Sequence, residues 1–126
     1  MLLRVAACCV ILALGFPVQG ADTIWLVRHG EQTDPAAKDP ELNAEGREMA
    51  VRLAEMLGEA GIRTIYSSDY RRTRQTAAPL AEQLGLELTI YDPGKLEALA
   101  EELQSAAGPC LVVGHSNTTP RLVQLL

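Results

Sequence analysis

The chain has 126 residues, 11 Lys and Arg against 16 Asp and Glu, and a formal net charge of −5. That length leaves room for one domain built around one core and excludes a second. The acidic balance argues against a nucleic-acid partner, so an anionic ligand has to be drawn by a local cluster of Arg and His.

Residues 1–20 stand apart from the rest. Arg4 supplies a minimal positive region, Val5 to Phe16 an apolar one, and Val18-Gln19-Gly20 a small-residue pattern before Ala21, which together predict a secretory signal peptide over 1–20 and a domain over 21–126. The apolar run is shorter than the roughly 20 residues of a spanning helix, so no membrane association is expected once the leader is cleaved. Cleavage removes Cys8 and Cys9 and leaves Cys110 alone. A domain without an intrachain disulfide suits a bacterial periplasm better than the disulfide-dense proteins of extracellular fluids. Cys110 opens an apolar run and reads as a small buried hydrophobe, since thiolate chemistry needs an exposed, electropositive setting.

The domain begins with Ile24-Trp25-Leu26-Val27-Arg28-His29-Gly30-Glu31. An apolar run of four that ends in a cation, an imidazole and a glycine predicts a buried parallel strand delivering its C-terminal residues into a crevice. Arg28 offers a fork of donors suited to phosphate or carboxylate, His29 a nitrogen half unprotonated near neutral pH, and Gly30 a close approach of backbone to ligand. Gln32 to Glu41, with Pro35 and Pro40, is a polar loop of active-site length. A helix follows with Asn43 as N-cap and Met49, Ala50, Leu53, Leu57 and Ala60 on one face, until Gly58 and Gly61 punctuate its end.

Arg63 to Ser67 is β-prone, and Ser68 or Asp69 can cap the next helix, whose apolar face is Tyr70, Thr73, Ala77, Leu80, Ala81 and Leu84. Arg71, Arg72 and Arg74 crowd the positive end of that helix and call for an anion. Residues adjacent along a helix point in different directions, so one is expected to face the crevice while Arg71 and Arg74 are solvated. Leu86 to Tyr91 predicts a third strand, Asp92-Pro93-Gly94 a turn, and Leu96, Leu99, Ala100 and Leu103 the stripe of a third helix. Cys110 to Gly114 predicts a fourth strand, buried on both faces, which delivers His115-Ser116-Asn117 to its end. Pro120 suits the first turn of a last helix with Thr119 as cap, and an end inside that apolar helix reads as a fragment. Strands alternating with helices predict an α/β fold, a mostly parallel sheet with helices on both faces.

Both histidines follow buried strands and Arg72 follows a third. In a parallel sheet those strand ends share one edge, where imidazoles and guanidiniums can converge on a tetrahedral oxyanion. Arg28-His29-Gly30-Glu31, Leu42-Asn43-Ala44-Glu45-Gly46, the run from Ser67 to Ala77 with Arg72-Thr73-Arg74-Gln75-Thr76, and Gly114-His115-Ser116-Asn117 appear in this order along nearly the whole domain. In these pieces the chain resembles the histidine phosphatase superfamily, also called phosphoglycerate mutase-like, and particularly its small single-domain bacterial members. The resemblance implies metal-independent hydrolysis of a phosphorylated small molecule or phosphoprotein, with no cofactor. His29 would take the phosphoryl group as phosphohistidine, and Arg28, Arg72 and His115 would hold its oxygens, with Gly30 and Ser116 also facing substrate. His29 is then expected to stay unprotonated while His115 is favoured as imidazolium, their environments pushing the two pKa values apart.

The family's general acid falls between the second Arg and the second His, where this chain offers Asp92, Glu97, Glu101 and Glu102. Asp92 is preferred because it follows a strand in a turn, whereas the three Glu lie on a helix face. Small members acting on phosphohistidine can lack this acid, since an imidazole leaves easily. The segment from Arg72 to His115 is shorter than in the mutases, which argues against mutase activity. Pro35 stands where many members have Asn. With no Arg-x-Pro after His29, and Ser116 rather than Asp after His115, the chain departs from the acid phosphatase and phytase branch. The family's C-terminal strands are missing, which leaves an exposed sheet edge.

Two other readings compete. A metal hydrolase using His29, Glu31 and His115 would need the Pro-Cys-x-x-Cys partner of zinc deaminases, which the sequence lacks. A non-catalytic phosphate-recognition module on the same scaffold would accommodate Pro35, the open acid assignment and the short C-terminus.

Overall fold

The computed structural model describes residues 23–126. The leader read over 1–20 lies outside the described residues. Four strands and four helices alternate strictly: β1 (Ile24–Arg28), α1 (Ala44–Leu57), β2 (Thr64–Ser68), α2 (Arg71–Leu84), β3 (Leu88–Tyr91), α3 (Leu96–Ser105), β4 (Cys110–Gly114) and α4 (Thr118–Leu125). The strands form one parallel sheet in the order β1-β4-β2-β3.

This order explains the layers. The crossovers from β1 to β2 and from β2 to β3 advance in one direction, and the one from β3 to β4 turns back; right-handed connections therefore put α1 and α2 on one face and the returning α3 on the other. The pleat divides the core accordingly. Ile65, Leu111 and Val113 pack with Leu53, Leu57, Ala77 and Leu80 on the first face. Tyr66, Cys110 and Val112 pack with Leu96, Leu99, Leu103 and Leu122 on the second. All five residues of β4 are buried, as continuous apolarity predicts. Cys110 is buried as well, and burial pushes its thiol pKa up.

β1 differs from expectation. It has β4 as its single strand neighbour among the described residues, so it is an edge strand, and Trp25 is 40% exposed. An apolar run reports that a strand touches the core, whereas the number of neighbours is decided by strand order, which local sequence does not encode.

Local chemistry accounts for most element ends. Asn43 caps α1 by accepting from the Gly46 N–H at 2.9 Å. The helix stops at Leu57, short of Ala60, and Gly61 beyond it takes φ +73°. At the end of α2, Gly85 is left-handed (φ +65°), which lets Leu86 N–H bond back to the Ala81 carbonyl at 2.9 Å and delays β3 to Leu88. Pro120 is the third residue of α4 and Thr119 the second, with Asn117 at the cap position; a proline fits there because first-turn N–H groups have no partner within the helix.

α2 is started differently from the prediction. Neither Ser68 nor Asp69 caps it, and Tyr70 at the cap position makes no side-chain bond to the helix. Instead the 32–41 loop reaches over: Asp39 Oδ1 accepts from Arg71 N–H at 2.9 Å, and Glu41 pairs with the Arg71 side chain. The loop is pinned at its base by Thr33 N–H to the Glu41 carbonyl (2.9 Å) and Asn43 N–H to the Glu31 carbonyl (2.9 Å). Arg74 pairs with Asp69. The two outer arginines thus have surface carboxylates, and the helix-start cation left facing inward is Arg72.

Gly30 and Gly46 bring the first strand's exit against the first turn of α1. A Cβ on Gly46 would stand 2.2 Å from the Glu31 carbonyl oxygen, and one on Gly30 would stand 2.8 Å from Gly46 Cα. Both obstacles are backbone, so neither can swing aside. Gly46→Ala is expected to destabilise the domain by about 2 to 3 kcal/mol, read as a lowered denaturant midpoint. An unchanged midpoint would show that the two backbones can separate freely.

Candidate active site

The C-terminal ends of β1, β4 and β2 are neighbours, and β4 sends its chain to the opposite face from the other two. A crevice at this edge is the geometric consequence. Register places Arg28 beside Gly114 and Ser67 beside Val113, so His29, His115 and Ser68 emerge side by side.

Arg72, projecting from the first turn of α2, bridges the two imidazoles. Its Nε donates to His29 Nε2 at 3.2 Å and its Nη2 to His115 Nδ1 at 3.4 Å. The guanidinium lies over the Tyr70 ring, 4.5 Å from the centroid, and Tyr70 also meets His115 edge-on at 5.3 Å. The two imidazole centroids are 5.4 Å apart.

The partners fix the tautomer of His29. Nδ1 lies 2.7 Å from the Gly30 carbonyl oxygen, which can only accept, so Nδ1 carries the proton and Nε2 the lone pair. Gly30 is itself held by Thr76, whose Oγ1 accepts from Gly30 N–H at 3.0 Å and donates to the Arg72 carbonyl at 2.7 Å. Both backbone groups of Gly30 are therefore engaged inside the protein, the carbonyl on His29 and the N–H on Thr76.

Burial pushes the His29 pKa down, helped by Arg72 and Arg28 and opposed by the Gly30 carbonyl and Glu31. His115 is lowered further, to about 4, first by burial and then by Arg72, His29 and Arg28. The expected opposition of the two groups thus does not hold for the protein's own charges: both pKa values are lowered, because both rings are buried beside guanidiniums. A phosphate dianion among these donors would act in the opposite direction and favour a proton on His115.

The sign of the pH effect follows. Between the unfolded value of 6.5 and the folded value of about 4, the unfolded chain binds a proton at His115 that the folded chain refuses. Stability therefore falls as pH drops through that window, by about 3 kcal/mol for this residue. Thermal unfolding from pH 7 to pH 4 should show this loss, with a shallower fall for His115→Gln and for the protein in inorganic phosphate. Parallel curves would place the titration elsewhere.

The remaining predicted residues are arranged around this centre. Arg28 stands half-exposed at the rim, Nη1 3.6 Å from Glu31 Oε1, in a cleft of about 520 Å³ with His29, Glu45, Met49 and Arg52. His115, Arg72, Tyr70, Pro93 and Asn117 line a second cleft of about 310 Å³. Asp92 is not part of the His29–Arg72–His115 cluster. It lines an adjoining cleft with Asp69 and Ile90, sharing Tyr70 and Pro93 with the second, and its Oδ1 accepts from Gly94 N–H at 2.8 Å. Ser116 is exposed after β4. Among the described residues no three His, Cys, Asp or Glu side chains gather as metal ligands. Sequence reasoning missed Ser68, Tyr70 and Thr76 as site neighbours. The available signal was position: Ser68 ends a buried strand at the histidine edge, and Thr73 and Thr76 are polar residues on the apolar side of α2.

Comparison with known proteins places this geometry. A family profile described as histidine phosphatase superfamily (branch 1) matches residues 24–101, more than half of the chain. The chain belongs to that superfamily. The match carries His29 and Arg72 and ends before His115. Among curated relatives, the protein named "Probable phosphoglycerate mutase GpmB" of Serratia proteamaculans is 40% identical over 76 residues, 56% of this chain and 35% of its own length. Its namesake in Escherichia coli O1:K1 is 39% identical over 75 residues, 55% of this chain and 34% of its own. The chain thus spans about a third of the curated relatives it matches. Among solved structures, protein histidine phosphatase SixA complexed with tungstate aligns with TM-score 0.61 and 23% identity, covering 79% of this chain and 73% of that one. A mycobacterial glucosyl-3-phosphoglycerate phosphatase with inorganic phosphate aligns with TM-score 0.63 and 22% identity, covering 78% and 75%. At this identity the two structures establish the histidine phosphatase fold.

Proposed function

We propose that this histidine phosphatase superfamily member hydrolyses phosphomonoesters or a phosphoprotein through a phosphohistidine on His29, without metal. The observation that carries this reading is the bare Nε2 of His29, held 3.2 Å from Arg72 Nε while Nδ1 is tied to the Gly30 carbonyl. A nucleophile must present a lone pair, and a buried imidazole with a lowered pKa keeps one at neutral pH. Two structures that share this fold carry tungstate and inorganic phosphate in their complexes, which supports a tetrahedral oxyanion as the ligand.

In the first step the Nε2 lone pair attacks phosphorus, an N–P bond forms, and the P–O bond to the leaving group breaks with its electron pair on oxygen. Arg72 and Arg28 compensate charge on the equatorial oxygens, and His115 adds a donor once it is protonated beside the anion. The leaving oxygen takes a proton from the general acid. Asp92 keeps that proposed role because its cleft meets that of His115 at Tyr70 and Pro93. In the second step water attacks phosphorus, the N–P bond breaks, Nε2 recovers its lone pair, and the proton of water passes to the same carboxylate. The proposal extends to export into a bacterial periplasm, supported by the leader-like pattern of residues 1–20, with phosphorylated molecules of that compartment as the proposed substrates.

The test is turnover of a chromogenic phosphomonoester from pH 4 to pH 8 with a chelator present. Chelator-insensitive hydrolysis supports the reading. Phosphate binding without hydrolysis at any pH would instead establish a recognition module on this scaffold.

A further inference from the structure

Beyond the groups that would touch phosphate, the site contains a buried hydroxyl pair for which the reaction has no direct use. Ser68 and Thr73 are fully buried, at 0% exposure. Ser68 Oγ lies 2.8 Å from His115 Nε2 and 2.9 Å from Thr73 Oγ1. Thr73 Oγ1 is within donating distance of the carbonyl oxygens of Ser68 (2.9 Å) and Tyr70 (3.0 Å).

The direction of each bond can be derived. With two carbonyl oxygens within donating distance, the single proton of Thr73 goes to one of them, and its Oγ1 is left to accept from Ser68. The single proton of Ser68 is then spent on Thr73, so Ser68 Oγ must accept from His115, and Nε2 carries a proton. The other side of the ring agrees but constrains it less: Arg72 Nη2, 3.4 Å from Nδ1, only donates and so suits a bare Nδ1. His115 is thereby fixed as the Nε2–H tautomer, with its lone pair turned toward Arg72 and the crevice.

We infer that Ser68 and Thr73 are positioning residues that lock His115 in this tautomer, so that a proton gained when phosphate binds is placed on Nδ1, facing the anion. The inference rests on the phosphatase reading for its purpose but not for its geometry. Ser68 also accepts from the imidazolium, so it favours the charged ring against burial and against Arg72, His29 and Arg28, which oppose it. In α2 the hydroxyl of Thr73 serves the same line: its proton leaves toward the backbone and orients Ser68 as an acceptor for His115. Without it, Ser68 could turn its own proton toward the ring and invert the tautomer.

Nitrogen-15 NMR of the imidazoles tests this directly, because the chain has just two histidines. The expected spectrum of the full chain near pH 7 shows His115 protonated at Nε2 and bare at Nδ1. A protonated Nδ1 in the wild-type protein would overturn the inference without any variant. Ser68→Ala and Thr73→Val should each give a mixed or inverted tautomer, whereas Thr73→Ser, which keeps the hydroxyl, should keep the wild-type form. Titration with inorganic phosphate should show affinity about tenfold weaker in Ser68→Ala, with its alkaline decline moved to lower pH. An unaltered tautomer and phosphate pH profile in Ser68→Ala would refute the role. Turnover reports separately: altered tautomers in a protein that never hydrolyses a phosphomonoester would retain the lock and remove the phosphatase reading. Normal turnover with unaltered tautomers would do the reverse.

Discussion

Arg72→Ala should lower kcat/KM by about 10³-fold, with kcat lowered and KM raised. The residue donates through Nε to His29 and through Nη2 to His115, so its fork spans the site where a phosphoryl group would enter between the imidazoles. An entering phosphate would take these donors, leaving Nε2 of His29 free to attack and giving the equatorial oxygens a fixed cation. One truncation therefore removes ground-state binding and transition-state stabilisation together. Arg72→Lys keeps the charge but lacks the planar fork and its stacking on Tyr70, so it should recover only part of the rate, remaining about 10²-fold below wild type. Steady-state kinetics on a phosphomonoester separate these cases. Wild-type kinetics in Arg72→Ala would move the phosphate site elsewhere.

His29→Ala should have the larger effect, a loss of roughly four orders of magnitude or more in kcat, because no second side chain offers a lone pair in its place. His115 has a bare Nδ1, but that atom is engaged by Arg72 Nη2, and its ring is held through Ser68. Phosphate binding should survive in His29→Ala, since Arg28, Arg72 and His115 remain, and isothermal titration with inorganic phosphate would show it. Loss of binding together with turnover would mean that His29 organises the pocket instead of reacting in it. Retained turnover would exclude it as the nucleophile.

Much of this architecture can be read from the order of residues. Helical spacing of apolar residues marks the buried faces of α1 and α3, continuous apolarity marks β4, and histidines placed after strands imply a shared edge. Asn43 and Gly46 are legible for a local reason, since the cap bond spans three residues. What local sequence leaves open depends on partners far along the chain. Among the described residues β1 lies at the edge of the sheet, and its one strand neighbour is β4, 86 positions later in register. Ser68 has the chemistry of a helix cap, yet its hydroxyl serves His115, 47 residues away. Arg71 and Arg74 look like excess charge until Glu41 and Asp69 are seen to pair with them. The protonation of His115 is the clearest case. The roles implied by resemblance assume a bound anion, whereas the protein's own burial and cations push the ring's pKa down to about 4.

The central claim is a covalent bond between phosphorus and His29 Nε2. Its most direct test is acid-free rapid quenching of the protein with a phosphorus-labelled monoester, followed by mapping of the labelled residue. The expected result is label on His29, formed in a burst, stable to base and lost in acid, and absent from His29→Ala. Turnover with no labelled protein at any quench time, or label on another side chain, would contradict it.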